Sequence, residues 1–410
     1  LDVMGGIADY SGGRVLQLPL APATFALVQK QEALRCEVAT RRKGQWDFFR
    51  IGLPLAPAVE LAAWFRNREG DRWASYVVGV VEALLAAGAT RAGFRILIDS
   101  TVPEGRGIAS SAALEVATAA AVAASCGIAI SQPELARLCQ RVENEVVGAP
   151  CGIMDQMTSA CGQENRLLKL LCQPATIEGY IDVPSGYRFY GIDSGISHAV
   201  SGADYATVRA AAFMGHRIIA VDTGWKGCYL ANLTPAEFAE LGRSLPEEMA
   251  GGEFLSRYGA IADTATTVIR DRRYPVRRAA QHPVDEQARV DRCAALLEVL
   301  PQRPSAATEI GNLMYGSHQS YSACGLGSDG TDRLVELVRA AGPEQGLFGA
   351  KITGGGSGGT VAVFGTREAE DVVRDLAKRY TAETGREARV FTESGPGAAR
   401  TEVFTLKAGL

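Results

Sequence analysis

Apolar residues recur along this chain with two different periods, and the places where one gives way to the other predict its elements. A three-to-four spacing at Trp73, Val77, Val80 and Leu84 predicts one buried helical face. It is followed by a β-rich run, "FRILIDS" (Phe94–Ser100), then by a Pro/Gly turn and an Ala-rich helix starting near Ser110. The stretch "SQPELARLCQRVENEVVG" reads as a helix with both ends marked. Ser131 and Glu134 form a capping box, Gly148 is a stop, and Leu135, Leu138, Val142 and Val146 share the apolar face. In the second half "YRFYGIDS", "LFGAKIT" and "TVAVFG" read as strands and "EAEDVVRDLAKRY" as a helix. The polar stretch Gly242–Phe254 is expected to be an exposed loop. Strands and helices mixed without regular βαβ spacing predict an α+β architecture. A change of domain near residue 185 divides it into domains 1–185 and 186–410.

Composition narrows the class. A chain of 410 residues can bury two cores, and 47% apolar with 21% charged residues excludes wholesale disorder. A net charge of -4 leaves no basic footprint, so neither nucleic acid nor an anionic membrane is an expected partner. A polyanion would have to be held by backbone amides and a metal. The nine cysteines are scattered, odd in number and without C-x-x-C spacing. That excludes a zinc site and a disulfide framework, and predicts reduced thiols in the cytoplasm. No secretory leader is read at the start. The run "AALEVATAAAVAASCGIAI" approaches membrane-span length, but its Glu115 and its many alanines predict a buried helix.

Three glycine-rich stretches carry the candidate chemistry. "VPEGRGIASSAALEVA" places a Gly/Ser loop between a strand and a helix, which aims free backbone N–H groups and the positive helix end at one point. It is neither a Walker A loop nor a dinucleotide fingerprint, and taken alone it also fits a plain Gly turn with a Ser cap. "KITGGGSGGT" fits a backbone that lies against a bulky anion, or a loose loop. "NEVVGAPCGIMDQMTSACGQ" carries Asp155 just after a Pro/Gly break, either as a carboxylate favoured by the helix dipole or as a base for a hydroxyl proton.

Taken in order, these stretches resemble the motifs of the GHMP small-molecule kinases, galactokinase branch. "DRWASYVVGVVEAL", "SGADYATVR" and "RRAAQHPVDE" extend the likeness. "LDVMGGIADYSGG", "VENEVVGAPCGIMDQMTSACGQ" and "GSHQSYSACGLGSDGT" are similar to the kinase part of plant-type L-arabinokinases. The resemblance implies a two-domain α+β fold, with an N-terminal part like the second domain of ribosomal protein S5, a ferredoxin-like C-terminal part, and the active site in the cleft between them. It implies phosphorylation of a sugar's anomeric hydroxyl by ATP with Mg²⁺. Asp155 matches the catalytic acid–base residue, and Glu143 with Ser110 or Ser111 matches the metal site. Gly105, Gly107, Ala109, Ser110 and Ser111 match the phosphate loop. Trp73 matches an aromatic near adenine, or else a core Trp on its helical face. Asp9, Gly152 and Tyr205 match sugar contacts. Gly354, Gly355, Gly356 and Gly358 match the loop that closes the site. Lys351 beside them is expected to be a solvated charge, and His282 and His318 to be structural. An Arg precedes the position of Leu1 in the family.

The resemblance also bears on the choice of sugar. Galactokinases carry Glu-His where this chain has Gly6 and Ile7, and that pair faces the exocyclic hydroxymethyl of galactose. L-Arabinopyranose is the same ring without that group, so a pocket lacking the polar pair is expected to prefer it. The alternative is that Gly6 serves a tight turn and Ile7 a core. The expected partners are a small sugar and ATP, with the oligomeric state open between monomer and dimer. The rival readings are a galactokinase and a catalytically silent sugar and ATP sensor.

Overall fold

The computed structural model describes residues 1–42, 44–53, 55–88, 92–197 and 203–405. Its strands run β1 (Asp2–Met4), β2 (Arg14–Gln17), β3 (Thr24–Gln31), β4 (Arg35–Arg42), β5 (Gln45–Gly52), β6 (Gly93–Ser100) and β7 (Arg166–Leu171). They continue as β8 (Thr176–Asp182), β9 (Tyr187–Asp193), β10 (Met249–Ala250), β11 (Arg273–Tyr274), β12 (Leu347–Ile352), β13 (Thr360–Thr366) and β14 (Arg389–Phe391). The helices are α1 (Ala58–Arg66), α2 (Ala74–Ala86), α3 (Ser110–Cys126), α4 (Gln132–Val142), α5 (Met154–Cys161) and α6 (Ala203–Thr223). After them come α7 (Pro235–Leu241), α8 (Gly251–Tyr258), α9 (Val276–Val299), α10 (Ala306–Ala323), α11 (Asp329–Ala341) and α12 (Glu370–Thr384).

These elements form two compact units that interleave along the chain. The first unit takes Leu1–Leu18, Gly105–Ile108 and Asn165–Ser394, and the second takes the described residues of 19–104, 109–164 and 395–405. A single boundary near residue 185 therefore does not describe the division. The reason is pairing: β2 lies antiparallel to β7, with Val15 opposite Leu170, and this draws the first 18 residues into the company of the later ones.

In the first unit one sheet has the order β1-β2-β7-β8 and another β12-β13-β9-β14. The second sheet, with α11 before β12 and α12 before β14, has the strand order of the ferredoxin-like split βαβ. Tyr190, Ile192, Leu334, Val338, Val361, Val363 and Tyr380 fill its core. A second core gathers α6, α8, α9 and α10 around Ile7, Tyr10 and Tyr205. The stretch Gly242–Phe254 belongs to this core and is not an exposed loop. Leu245, Met249 and Phe254 are buried, Met249–Ala250 pairs with Arg273–Tyr274, and α8 starts at Gly251. Its polar and glycine punctuation hides three apolar anchors spaced four and five residues apart.

In the second unit, β3, β6, β4 and β5 form a sheet in that order, with β4 and β6 parallel. Cys36, Val38, Phe94, Ile96 and Ile98 point to the helices, and Phe25, Leu27, Trp46 and Phe48 stand on the exposed face. Alternating burial follows from the two-residue period of a strand. The capping box starts α4, whose Glu134 accepts from the Ser131 amide at 3.0 Å. Its face of Leu135, Leu138 and Val142 is buried, and the backbone then widens into a π-helical turn, Glu143–Val147, closed by left-handed Gly148. No described helix is long and apolar enough to cross a membrane.

Candidate active site

In the first unit the backbone of Gly105–Ile108 lies directly on the glycine loop that follows β12. Gly107 has φ +67°, and a Cβ there would stand 3.4 Å from the Thr360 amide and 3.6 Å from the Thr353 carbonyl. The Thr360 hydroxyl donates to the Arg106 carbonyl at 2.8 Å, and the Thr353 amide to the Thr360 carbonyl at 3.1 Å. Two of the three glycine-rich stretches are thus one assembly, with Gly354 and Gly355 half-buried and Gly356 and Gly358 buried. Within the loop, Ser357 adopts φ 58°, and its hydroxyl oxygen is buried without a hydrogen-bond partner. Ile7 and Ala109 also take positive φ, at 51° and 60°. Each non-glycine residue in this region costs about 1–3 kcal/mol, a strain that persists where the surroundings impose it and that gathers at functional sites.

Asp9 sits in a short 3₁₀ turn and is 2% exposed. One carboxylate oxygen, Oδ1, has no hydrogen-bond partner. Burial pushes its carboxyl up to about 6, against the opposing charge of Arg209 and the Tyr10 amide. A buried, under-coordinated carboxylate is an acceptor for a hydroxyl donor. Arg209 lies 5.3 Å from the Tyr10 ring and forms a two-toothed pair with Asp263, at 2.7 and 2.8 Å. Tyr205 packs edge-on to Tyr10 at 6.0 Å. Ile7 joins the same core at 1% exposure.

Lys351 is not a solvated charge. Its amine is fully buried and reaches Asp2 Oδ2 at 2.6 Å, while Gln17 donates to Asp2 Oδ1 at 2.9 Å. The reason is that β12 is buried on both faces, so a lysine within it must take a counter-charge indoors. His282 bridges the Gly6 carbonyl (2.9 Å) and the Ser320 hydroxyl (2.7 Å), and burial holds it below its usual range. His318 meets Asp332 at 3.3 Å.

In the second unit, α3 begins after Ala109, a left-handed residue whose methyl cannot cap it, so no side chain of the cap residue meets the amides of its first turn. Ser110 and Ser111 open the helix, half-buried. The Ser111 hydroxyl acts to lower the carboxyl of Glu143, which is 2% exposed, and Gln156 Nε2 reaches Glu143 Oε2 at 2.6 Å and Glu115 Oε2 at 3.3 Å. Burial raises both carboxyls, and Glu115, with Glu143's charge beside it, is held well above the carboxylate range. Asp155 stands half-buried in the first turn of α5, its charge felt by Cys151, after the buried turn at Gly152. Trp73 sits at the start of α2, edge-on to Phe49 at 6.5 Å, with the Arg42 guanidinium 5.8 Å from its ring. Among the described residues no group of three or more His, Cys, Asp or Glu could hold a metal ion by itself. The adjoining hydroxyl of Ser111 and carboxylate of Glu143 are hard oxygen donors that suit Mg²⁺ completed by phosphate and water.

The structure thus joins Gly107 to the closing loop at Gly354 and Gly359, and sets Ser111 beside Glu143. Sequence reasoning missed Asp2, Glu115, Gln156, Tyr321 and Ser357. A lysine inside an apolar strand was the one local signal of the Asp2 partnership.

Comparison with known proteins matches the description "GHMP kinases N terminal domain" at residues 75–163 and "GHMP kinases C terminal" at 296–382. The chain is 38% identical to L-arabinokinase of Arabidopsis thaliana over 98% of its own length and 45% of that protein, so it spans less than half of that relative. It is 32% identical to galactokinase of Streptomyces coelicolor, covering 97% of this chain and 91% of the relative. The crystal structure of Lactococcus lactis galactokinase complexed with galactose superimposes with a TM-score of 0.77 at 21% identity, covering 97% of this chain and 92% of that one.

Proposed function

The chain belongs to the GHMP kinases, and from that premise we propose that it moves the terminal phosphoryl group of ATP to the anomeric hydroxyl of a free sugar, L-arabinose in preference to D-galactose. The observation that carries this reading is the start of α3, where uncapped amides, Ser110, Ser111 and the neighbouring Glu143 offer a site for a triphosphate. Phosphoryl transfer asks little covalent chemistry of a protein, so positioning and charge neutralisation dominate. Ser110, Ser111 and Glu143 would hold Mg²⁺, whose charge would offset that of the β- and γ-phosphates. Gly105, Gly107 and the glycines 354–358 would lay backbone amides along the phosphates, with Trp73 near the base. Asp155 would orient the anomeric hydroxyl and accept its proton. Asp9 Oδ1 would accept from ring hydroxyls, with Gly152 and Tyr205 along the ring. We place the reaction in the cytoplasm, which the nine free thiols support.

The preference for arabinose is supported by the relative of that name and by Gly6. Position 6 holds no polar side chain here, because its side-chain space is taken by the Tyr321 hydroxyl and the Asp2 carboxylate. Residue 6 itself therefore offers no side chain to hold a hydroxymethyl group. ADP release measured over a panel of free sugars with ATP and Mg²⁺ tests the proposal. The expected result is a higher kcat/KM for L-arabinose. A higher value for D-galactose would favour the galactokinase reading, which the relatives of that name support. No turnover of any sugar, with both ligands bound, would favour the silent sensor.

A further inference from the structure

Two edge strands of the first unit, β1 and β12, belong to different sheets and meet at Asp2. The Asp2 amide donates to Thr353 Oγ1 at 2.7 Å, Lys351 pairs with Asp2 Oδ2, and Gln17 holds the other carboxylate oxygen. Tyr321, fully buried on α10, stands over this pair with the Lys351 amine 5.0 Å from its ring. Its hydroxyl has two acceptors in reach, the Gly354 carbonyl at 3.0 Å and Asp2 Oδ2 at 3.3 Å. A phenol carries one proton. That proton is shared between them, with the carbonyl of Gly354, the first glycine of the closing loop, the nearer acceptor.

The neighbouring residues are pinned in the same manner. The Gly5 amide donates to Glu286 Oε1 at 3.0 Å, where Ser317 also donates at 2.6 Å, and the Gly6 carbonyl meets His282. Burial works against the charge on Glu286, but His282, Arg289, Lys351 and Ser317 outweigh it and hold the carboxyl below its usual range. Gly6 must be bare, since a Cβ would overlap the Tyr321 hydroxyl and the Asp2 carboxylate. A buried ion pair gives little net stability over an apolar pair of the same shape, so its worth lies in fixing geometry.

We propose that Tyr321 is a positioning residue for phosphoryl transfer: its hydroxyl ties the base of the glycine loop, at Gly354, to the strand and turn that carry Asp9, with the Asp2–Lys351 pair holding the phenol in place. This inference rests on the kinase reading above for the role of the loop. It assigns to Tyr321 the setting of the loop against the nucleotide, with no contact to either substrate.

The test is Tyr321→Phe, which keeps the ring and its packing. Thermal unfolding, the Kd for L-arabinose by calorimetry, and the Kd and steady-state constants for ATP are measured on the variant and the wild type. The expected result is an about tenfold loss on the nucleotide side, in KM or kcat for ATP, with sugar Kd and Tm close to wild type. Unchanged ATP constants overturn the proposal. So does a loss of sugar affinity and Tm in step with the ATP constants, which marks a structural role only. Should the wild type turn over no sugar, the kinase reading fails on that control. The ATP Kd of the variant against the wild type then decides the tie between Tyr321 and the loop by itself.

Discussion

Replacing Asp9 by Asn sets a gain in stability against a loss of function, and the structure gives the size of both. The Asp9 carboxyl is 2% exposed, and burial pushes it from 3.8 up to about 6, with the charge of Asp2 acting in the same direction and Arg209 opposing. A shift of about two units corresponds to about 3 kcal/mol carried by the folded state as a penalty for keeping this group charged. The sign follows from proton binding. Between the two values the unfolded chain has lost its proton and the folded one keeps it. The wild type therefore loses stability relative to the variant as pH rises from about 4 to 6, and the difference is constant above. The Asn amide places an N–H where Oδ1 has no partner, which costs about 1–3 kcal/mol at every pH. The variant is thus less stable than wild type near pH 4 and equal to it or better, by up to about 2 kcal/mol, above pH 6. For a unit of this size the relative Tm should swing by roughly 6–12 °C across that window. Thermal melts of both proteins without ligand read the swing, and steady-state kinetics should show kcat/KM for the sugar falling about a hundredfold. A Tm difference that does not change with pH, or wild-type sugar kinetics in the variant, would refute the reasoning.

Other substitutions separate chemistry from support. Asp155→Asn should lower kcat by about 10²–10⁴-fold in an ADP-release assay while leaving Tm in place; surviving activity would remove Asp155 as the base. Glu115→Gln should change stability by less than about 1 kcal/mol in urea unfolding, because burial and the Glu143 charge push that carboxyl well above its usual range and favour the neutral form that Gln resembles. A large loss would mean that Glu115 is charged. Asp263→Asn leaves the Arg209 guanidinium, buried beneath Tyr10, facing a neutral amide, and should cost about 3–5 kcal/mol in the same assay.

Much of this architecture was legible from local pattern. The capping box of α4, the strand–loop–helix at Ser110 and the strands that flank the glycine loop all lie within windows of ten to twenty residues, where period and punctuation act. The ion pair of Lys351 was not legible, because Asp2 is 349 positions away and no local rule joins them. Its trace was a lysine inside "LFGAKIT", where a two-faced buried strand has no room for an unpaired charge. The stretch after Gly242 misled because Pro, Glu and Gly outnumber the apolar residues that anchor it. Glu115 was read only as an argument against a membrane span, although a carboxyl in an Ala-rich helix face must find a partner indoors. Ala109 as the residue before α3, instead of a Ser cap, is the point where local propensity yields to the site.

The interleaving of the two units also dictates an order of events during synthesis. Val15 emerges from the ribosome about 150 residues before its partner Leu170. At roughly 5–20 residues per second, its strand waits on the order of ten to thirty seconds with its edge unsatisfied. In that interval the sheet of β3 to β6 and helices α1 to α5 can close around the segment 19–164. The waiting edge is where a nascent chain would most need a chaperone.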